Sequence, residues 1–393
     1  MINFSLKNQT DVIFGRDTEQ QCGQLLKELG GTRVLVHHSG EPFVLPLIER
    51  VKEYLKKAGL EVLELDGVVP NPRIELVYEG IELCRKENAD CILAVGGGSV
   101  IDSAKGIAIG VPYDGDVWDF YDGKAFPTQA LTLGVISTFA GTGSETTQAS
   151  VVTRQRDHMK RSADDAPIIK PKFAIMNPKL TCSIPKFQTA SGVADTTAHL
   201  MENFFSVSGY SDLADKMITA GLKSIMKNGL TVVEEPNNYD ARAEVMMLSP
   251  WAINGVMKVG RQGDWASHAL SHEISGQWDA AHGAALAAIF PAWMRYVWKH
   301  NPNLFVKFAV NVMGVEQNFE DPEQTILAGI RALEDHFHKL GLVTRLSQLV
   351  KGEITDEVLR QMAARVQYGP NGSVGTVYPI REVDSYEIFK LSI

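Results

Sequence analysis

The chain has 393 residues, 45% of them hydrophobic and 22% charged, with a formal net charge of −9. That length is too great for one comfortable hydrophobic core, so two domains are expected. The acidic balance, with no basic cluster carrying interleaved aromatics, argues against nucleic acid or an anionic membrane surface as a partner.

The N-terminal stretch MINFSLKNQTDVIFG shows no signal-peptide pattern, and no apolar run approaches bilayer length. Cys22, Cys84, Cys91 and Cys182 form no CxxC pair. A reduced, cytoplasmic protein is therefore expected, with its cysteines used for packing.

The first half alternates in type. TRVLVHH at 32–38 is a β-branched run, and a helical pattern over 43–58 follows it and stops at Gly59. LEVLELD then reads as a strand, RIELVYEGIELCRKENA as an amphipathic helix, CILAVGGGS as an apolar strand ending in glycines, and VIDSAKGIAIG as a helix. LTLGVIS, ASVVT and KFAIM are further strand-like runs. Short, nearly all-apolar strands alternating with helices predict a parallel sheet covered on both faces, a Rossmann-like α/β domain over 1–185.

Beyond about Pro185 the period changes. Segments 186–206, 209–230, 239–259, 264–276, 283–298, 303–315, 321–340 and 354–367 carry helical spacing, which predicts an all-helical domain over 186–393. Pro250 predicts a kink or a break in its segment.

Val95-Gly96-Gly97-Gly98-Ser99 joins a strand to a helix. Glycines there let backbone N–H groups approach a phosphate, and the helix N-terminus adds partial positive charge. Ser99 is a candidate helix cap, and Asp102 a side chain able to reach backbone donors or a ribose. The spacing is not G-x-G-x-x-G, so a plain strand-to-helix turn is an equal reading. A second turn, Ser137-Thr138-Phe139-Ala140-Gly141-Thr142-Gly143-Ser144-Glu145, follows LTLGVI. Strand carboxyl ends are where open α/β sheets bind ligands, although Ser/Thr-rich loops are also common at surfaces.

In the second half, Asp195 and His199 lie four apart on one helical face, as do His268 and His272, and His282 precedes Gly283. One carboxylate with imidazoles forms a set suited to Fe(II), Zn(II), Mn(II) or Co(II). Each histidine alone is more often a packing or surface residue than a ligand, although three of the ten histidines fall within fifteen residues, and spacing does not show that the two stretches meet.

Several motifs in order resemble the iron-containing (group III) alcohol dehydrogenases, in particular their butanol-dehydrogenase-like branch. They are NPR at 71–73, GIELCRKENADCILAVGGGSVIDSAKGIA at 80–108, VPYDGDVWDF at 111–120, TGSE at 142–145, GVADTTAHLMENFF at 192–205 and HALSHEISGQWDAAHG at 268–283. The resemblance runs nearly the full chain. It implies a dinucleotide between an N-terminal Rossmann-like domain and a C-terminal helical domain (a dehydroquinate-synthase-like architecture), a homodimer, and hydride transfer between NAD(P) and a primary alcohol or aldehyde.

By the same resemblance the metal ligands are Asp195, His199, His268 and His282, with Fe(II) or Zn(II) bound. His272 is a proton relay or a residue that only orients a ligand. Cofactor contacts fall on Gly97, Gly98, Ser99, Asp102, Thr138 and Thr142, with Asn71 and Lys160 beside them. Ser39 stands where some members carry a ribose-binding Asp, which leans the reading toward NADP, while Glu41 two residues on would favour NAD. Asn177-Pro178 replaces a common Asp-Pro and is expected to affect a turn only. Competing readings are a polyol or glycerol dehydrogenase, a dehydroquinate-synthase-like lyase, and a non-catalytic metal- and nucleotide-binding protein.

Overall fold

The computed structural model describes residues 1–163 and 167–393. It divides into two compact units, Lys7–Ile184 and Pro185–Ile393, with Met1–Leu6 belonging to the second.

The first unit runs β1 (Asp11–Phe14), α1 (Cys22–Glu28), β2 (Arg33–His37), α2 (Leu45–Lys57), β3 (Glu61–Leu65), α3 (Ile74–Glu87), β4 (Cys91–Gly96), α4 (Gly98–Gly110) and a short α5 (Trp118–Tyr121). It continues with β5 (Thr132–Ser137), β6 (Ser150–Arg154), β7 (Met159–Ala163) and β8 (Phe173–Met176). Six strands form a parallel sheet in the order β1-β8-β5-β4-β2-β3.

Strand β4 shows why its sequence is continuously apolar. Cys91, Leu93 and Val95 pack with Val34, Val36, Ile48 and Val51 on one face. Ile92 and Ala94 pack with Leu35, Val77, Ile101 and Ala104 on the other. A strand buried on both faces has no polar position to spare. Truncating Leu93 to Ala is expected to cost roughly 2–5 kcal/mol.

Two features differ from the sequence expectation. β1 was not expected: its apolar run is only Val12-Ile13-Phe14, and three of its four residues are exposed at the sheet edge. The run ASVVT does form a strand, β6, but leaves the sheet and pairs antiparallel with β7. The buried thiols of Cys22 and Cys84 are each pushed up to about 12 by burial, as packing residues should be.

The second unit contains α6 (Lys186–Phe204), α7 (Asp212–Glu234), α8 (Tyr239–Ile253), α9 (Ala266–Trp278) and α10 (His282–Val297). It ends with α11 (Pro302–Asn311), α12 (Pro322–Lys339), α13 (Leu346–Leu349), α14 (Asp356–Arg365) and α15 (Glu382–Leu391). Side chains of Ser211, Asn238, Asp321 and Thr355 cap α7, α8, α12 and α14. Pro250 lies inside α8, and the helix continues beyond it to Ile253, so the expected break falls three residues later. Helices α13 and α15 carried no expectation. The first residues join this unit through a hydrogen bond from Ile2 N to Gly260 O of 3.0 Å.

Helix α6 is buried all round from Thr189 to Phe204. A helix with no solvent face is a central helix, and each polar side chain on it must find a partner inside the protein. Asp195, His199 and Glu202 are such side chains, at helical spacing along one stripe. The N-terminus of α10 meets α6 at close backbone range: a Cβ on Gly283 would lie 1.8 Å from Ser191 O. Only glycine fits, and the approach sets His282 opposite Asp195, one turn along α6.

Candidate active site

In the α/β unit the chain winds from β2 outward to β3, then crosses to β4 on the other side of β2. The gap between the carboxyl ends of β2 and β4 is thus the topological switch point, where doubly wound sheets bind nucleotides. The turn at Ser39 follows β2, and the turn at Gly97 follows β4.

Gly97 itself occupies the N-cap of α4, without a side-chain cap, so the expected capping role of Ser99 is not realised. Ser99 is the second residue of the helix, among its free N–H groups. The two glycines also serve packing. A Cβ on Gly97 would lie 2.8 Å from Phe139 Cβ, and one on Gly98 2.4 Å from Thr142 Cγ2. The hydroxyl-rich turn therefore lies directly against the glycine turn, joined also by Thr138 N donating to Gly96 O at 3.0 Å.

Lys105, which no motif singled out, holds the two together from below. It is fully buried on α4, and its ammonium donates to Ser144 O and Ser144 Oγ at 2.8 Å and to Ala149 O at 2.7 Å. Asp102 accepts from Ser144 Oγ at 2.5 Å and lies 3.9 Å from the Lys105 ammonium. Burial raises the Asp102 carboxyl, against the opposing pull of Lys105 and the Ser144 hydrogen bond. Asp102 is thus engaged within the protein rather than with the helix N-terminus.

Asn71 and Lys160 come together: the buried Lys160 ammonium donates to Asn71 Oδ1 at 2.9 Å, with Asn71 in a left-handed conformation at φ 54°. Ser39 stands apart from this group, in a turn where Gly40 N donates to His38 Nδ1 at 3.0 Å and Glu41 N to Ser39 Oγ at 3.3 Å. Asn177 behaves as expected of a turn residue, accepting from Lys179 N at 3.1 Å while donating to Glu19 at 3.0 Å.

In the helical unit, α6, α9 and α10 bring their polar side chains to one point. Around Asp195 Oδ1 lie His199 Nε2 at 3.5 Å, His282 Nε2 at 3.7 Å and His268 Nε2 at 3.9 Å. Ligand atoms of Asp195, His268 and His282 all lie within 4.8 Å of one another. His199 stacks on His268 with ring centroids 4.8 Å apart.

Tetrahedral ligands about 2.1 Å from an ion stand roughly 3.4 Å apart, so the spacing fits a small divalent cation. The chemistry of the donors fits as well. His268 Nε2 is buried without a hydrogen-bond partner, while its Nδ1 lies 2.8 Å from Glu202 Oε1. Ser271 Oγ donates to His268 O at 2.8 Å, so its oxygen is left to accept from His282 Nδ1 at 3.4 Å. Both rings then turn Nε2 toward Asp195.

Burial lowers His199 to about 4 and keeps it neutral. Burial acts the same way on His268, but Asp195 and Glu202 outweigh it and push the ring up to about 9. At 3.9 Å the Asp195 share is charge attraction rather than a hydrogen bond.

His272 lies outside the Asp195, His268 and His282 cluster, one turn beyond His268, half-buried, with its ring centroid 5.3 Å from that of His282. Glu202 and Trp265 were not visible as site residues in sequence. Trp265 takes φ 67°, a left-handed conformation uncommon for a bulky side chain, and sets its ring edge-on to His268 at 5.2 Å. The spacing Asp195, His199, Glu202 was the one signal that could have found the carboxylate.

Family models match both units: "Iron-containing alcohol dehydrogenase" over residues 9–178 and "Fe-containing alcohol dehydrogenase family, C-terminal" over residues 189–390. The chain is 35% identical over 395 residues to NADH-dependent butanol dehydrogenase A of Clostridium acetobutylicum, covering 100% of both. It is 36% identical over 393 residues to the probable NADH-dependent butanol dehydrogenase 1 of Bacillus subtilis, again covering 100% of both. The crystal structure of NADH-dependent butanol dehydrogenase A from Thermotoga maritima superposes with a TM-score of 0.94 at 35% identity, covering 100% of this chain and 99% of that one. The chain belongs to the iron-containing alcohol dehydrogenase family. It is an NAD(P)-dependent oxidoreductase that interconverts alcohols and aldehydes.

Proposed function

We propose that the chain transfers hydride between NADH and a short primary alcohol or aldehyde of the butanol kind, using one divalent ion held by Asp195, His199, His268 and His282. The observation that carries this reading is the meeting of three ligand atoms within 4.8 Å, one of them the buried, unpartnered Nε2 of His268. Fe(II) or Zn(II) bound there supplies Lewis acidity toward a substrate oxygen, and the nicotinamide ring supplies or accepts the hydride.

The protein's own residues do the holding. Backbone N–H groups of Gly98 and Ser99 at the start of α4 bind the diphosphate, beside Gly97 and the hydroxyls of Thr138 and Thr142. Asp102, Asn71 and Lys160 shape the wall of that site. His272 holds and passes the hydroxyl proton, a task suited to a half-buried imidazole.

Ser39, taken alone, leans toward NADP. Its surroundings favour NADH instead: a Cβ on Gly40 would lie 3.1 Å from Asp66 Oδ2, and Lys52 is already engaged by Glu49 at 3.1 Å and by Glu64. A 2′-phosphate would meet the carboxylates of Glu41 and Asp66. A cytoplasmic homodimer is proposed on the family resemblance alone.

The test is reduction of butanal by NADH and by NADPH, followed at the nicotinamide absorbance after stripping and reloading with Fe(II), Zn(II) or Mn(II). Turnover restored by metal and a higher kcat/KM with NADH support the reading, and Asp66→Asn should narrow the preference several-fold. Full turnover in metal-free protein would overturn it.

A further inference from the structure

Glu202 lies on α6, seven residues beyond Asp195, and is fully buried. Each of its oxygens accepts from a backbone N–H: Oε2 from Trp265 N at 2.6 Å, and Oε1 from His268 N at 3.1 Å. Oε1 also lies 2.8 Å from His268 Nδ1. With both oxygens already accepting from backbone N–H groups, Oε1 faces Nδ1 as an acceptor and the ring donates from Nδ1. That assignment makes Nε2, in the direction of Asp195 Oδ1, the nitrogen that would face an incoming cation.

Among the described residues, His268 is the only titratable side chain that hydrogen-bonds Glu202. Asp264, whose N donates to Glu202 O at 3.0 Å, turns its own carboxylate to Thr376 N at 2.7 Å and Val377 N at 2.8 Å. Glu202 is therefore a buried carboxyl whose only imidazole contact is His268, and a buried polar group of this kind is kept where its hydrogen bonds are all made. The same carboxylate grips both ends of the strained Trp265–His268 turn, which fixes where the ring stands.

We propose that Glu202 is a positioning residue of the metal centre: by accepting from His268 Nδ1 and from the backbone at both ends of its turn, it fixes the orientation of His268 with Nε2 toward Asp195 and so tightens binding of a divalent cation. The inference rests on the reading of Asp195, His199, His268 and His282 as ligands. Glutamine is a poor replacement, because its amide offers one acceptor where the site needs two. One backbone N–H, at Trp265 or His268, would be left facing an N–H group.

The experiment uses Zn(II) as the probe, titrated into metal-stripped full-length protein against a chelating indicator. Wild-type protein should take up one Zn(II), and Glu202→Gln should bind it about 10- to 100-fold more weakly. NADH binding, followed by fluorescence, should be unchanged in the variant.

A folded Glu202→Gln protein with wild-type Zn(II) affinity would overturn the proposal, whereas failure of wild-type protein to bind Zn(II) would overturn the ligand reading beneath it. Nitrogen-15 spectra of histidine-labelled, Zn(II)-loaded wild-type protein provide a measurement independent of the variant's folding. They should show a downfield, exchange-protected Nδ1 proton on His268. A rapidly exchanging Nδ1 proton there, or an Nε2-protonated ring, counts against Glu202.

Discussion

The two units solve the problem of building a site in opposite ways. In the α/β unit the candidate groups are backbone N–H donors and hydroxyls on turns after β4 and β5, and the local sequence carries nearly all the information. In the helical unit they are side chains from the interior of α6 and α9 and from the first residue of α10, brought together from positions up to 87 residues apart (195 to 282).

In each unit a buried charged side chain that the sequence reading did not single out supports the candidate groups. Lys105 ties the two turns from below with bonds to Ser144 and Ala149, and Glu202 holds a ligand ring from behind. Turn-built sites need a clamp because turns have few contacts of their own. Helix-built sites need an orienting group because a ring on a rigid helix still rotates.

The sharpest way to break this comparison is to damage one site and look for an effect at the other. His268→Ala should abolish metal retention and lower turnover by roughly 10³-fold or more, as removal of a group essential to the chemistry does. NADH binding should persist. His272→Ala should keep the metal, yet lose activity and the corresponding limb of the pH–rate profile. Equal loss of NADH binding in His268→Ala would mean that the two sites are not separable.

Next in size is Lys105→Met. Removing a buried cation from its acceptors on Ser144, Thr147 and Ala149 and from Asp102 should cost about 3–5 kcal/mol, seen as a lower denaturation midpoint. In protein that remains folded, NADH affinity should fall while Zn(II) stoichiometry stays the same.

A smaller effect concerns Glu145, buried at the end of the hydroxyl-rich turn with Oε1 lacking a hydrogen-bond partner. Burial raises its carboxyl from 4.5 to about 7. The folded chain therefore keeps a proton that the unfolded chain has already released. Stability falls as pH rises between about 4.5 and 7, with the full loss, on the order of 3 kcal/mol, reached above that window. Glu145→Gln should match wild type near pH 4 and exceed it near pH 8 in urea denaturation. A variant with the same pH dependence as wild type would assign the fall to other groups.

Much of this molecule was legible in one dimension. The all-apolar runs at 91–96 and 132–137 marked buried parallel strands, because a strand covered on both faces admits no polar alternation. The change to helical spacing near Pro185 marked the helical half, and glycines between β4 and α4 marked a turn of close approach. Where sequence misled, the reason was local ambiguity. Ser99 has the chemistry of a cap, but Gly97 takes the position because Phe139 leaves no room for a Cβ there. ASVVT has strand composition, but composition does not say which strand it pairs with.

What only the tertiary structure decided is which distant residues share a point in space. Helical spacing set Asp195, His199 and Glu202 on one stripe, but their meeting with His268 and His282 depends on the contact of Gly283 with Ser191 and on the left-handed Trp265. Periodicity fixes the face of a helix and says nothing of its partner. The partner is chosen by packing, and here packing also decided which ring nitrogens point at the metal site.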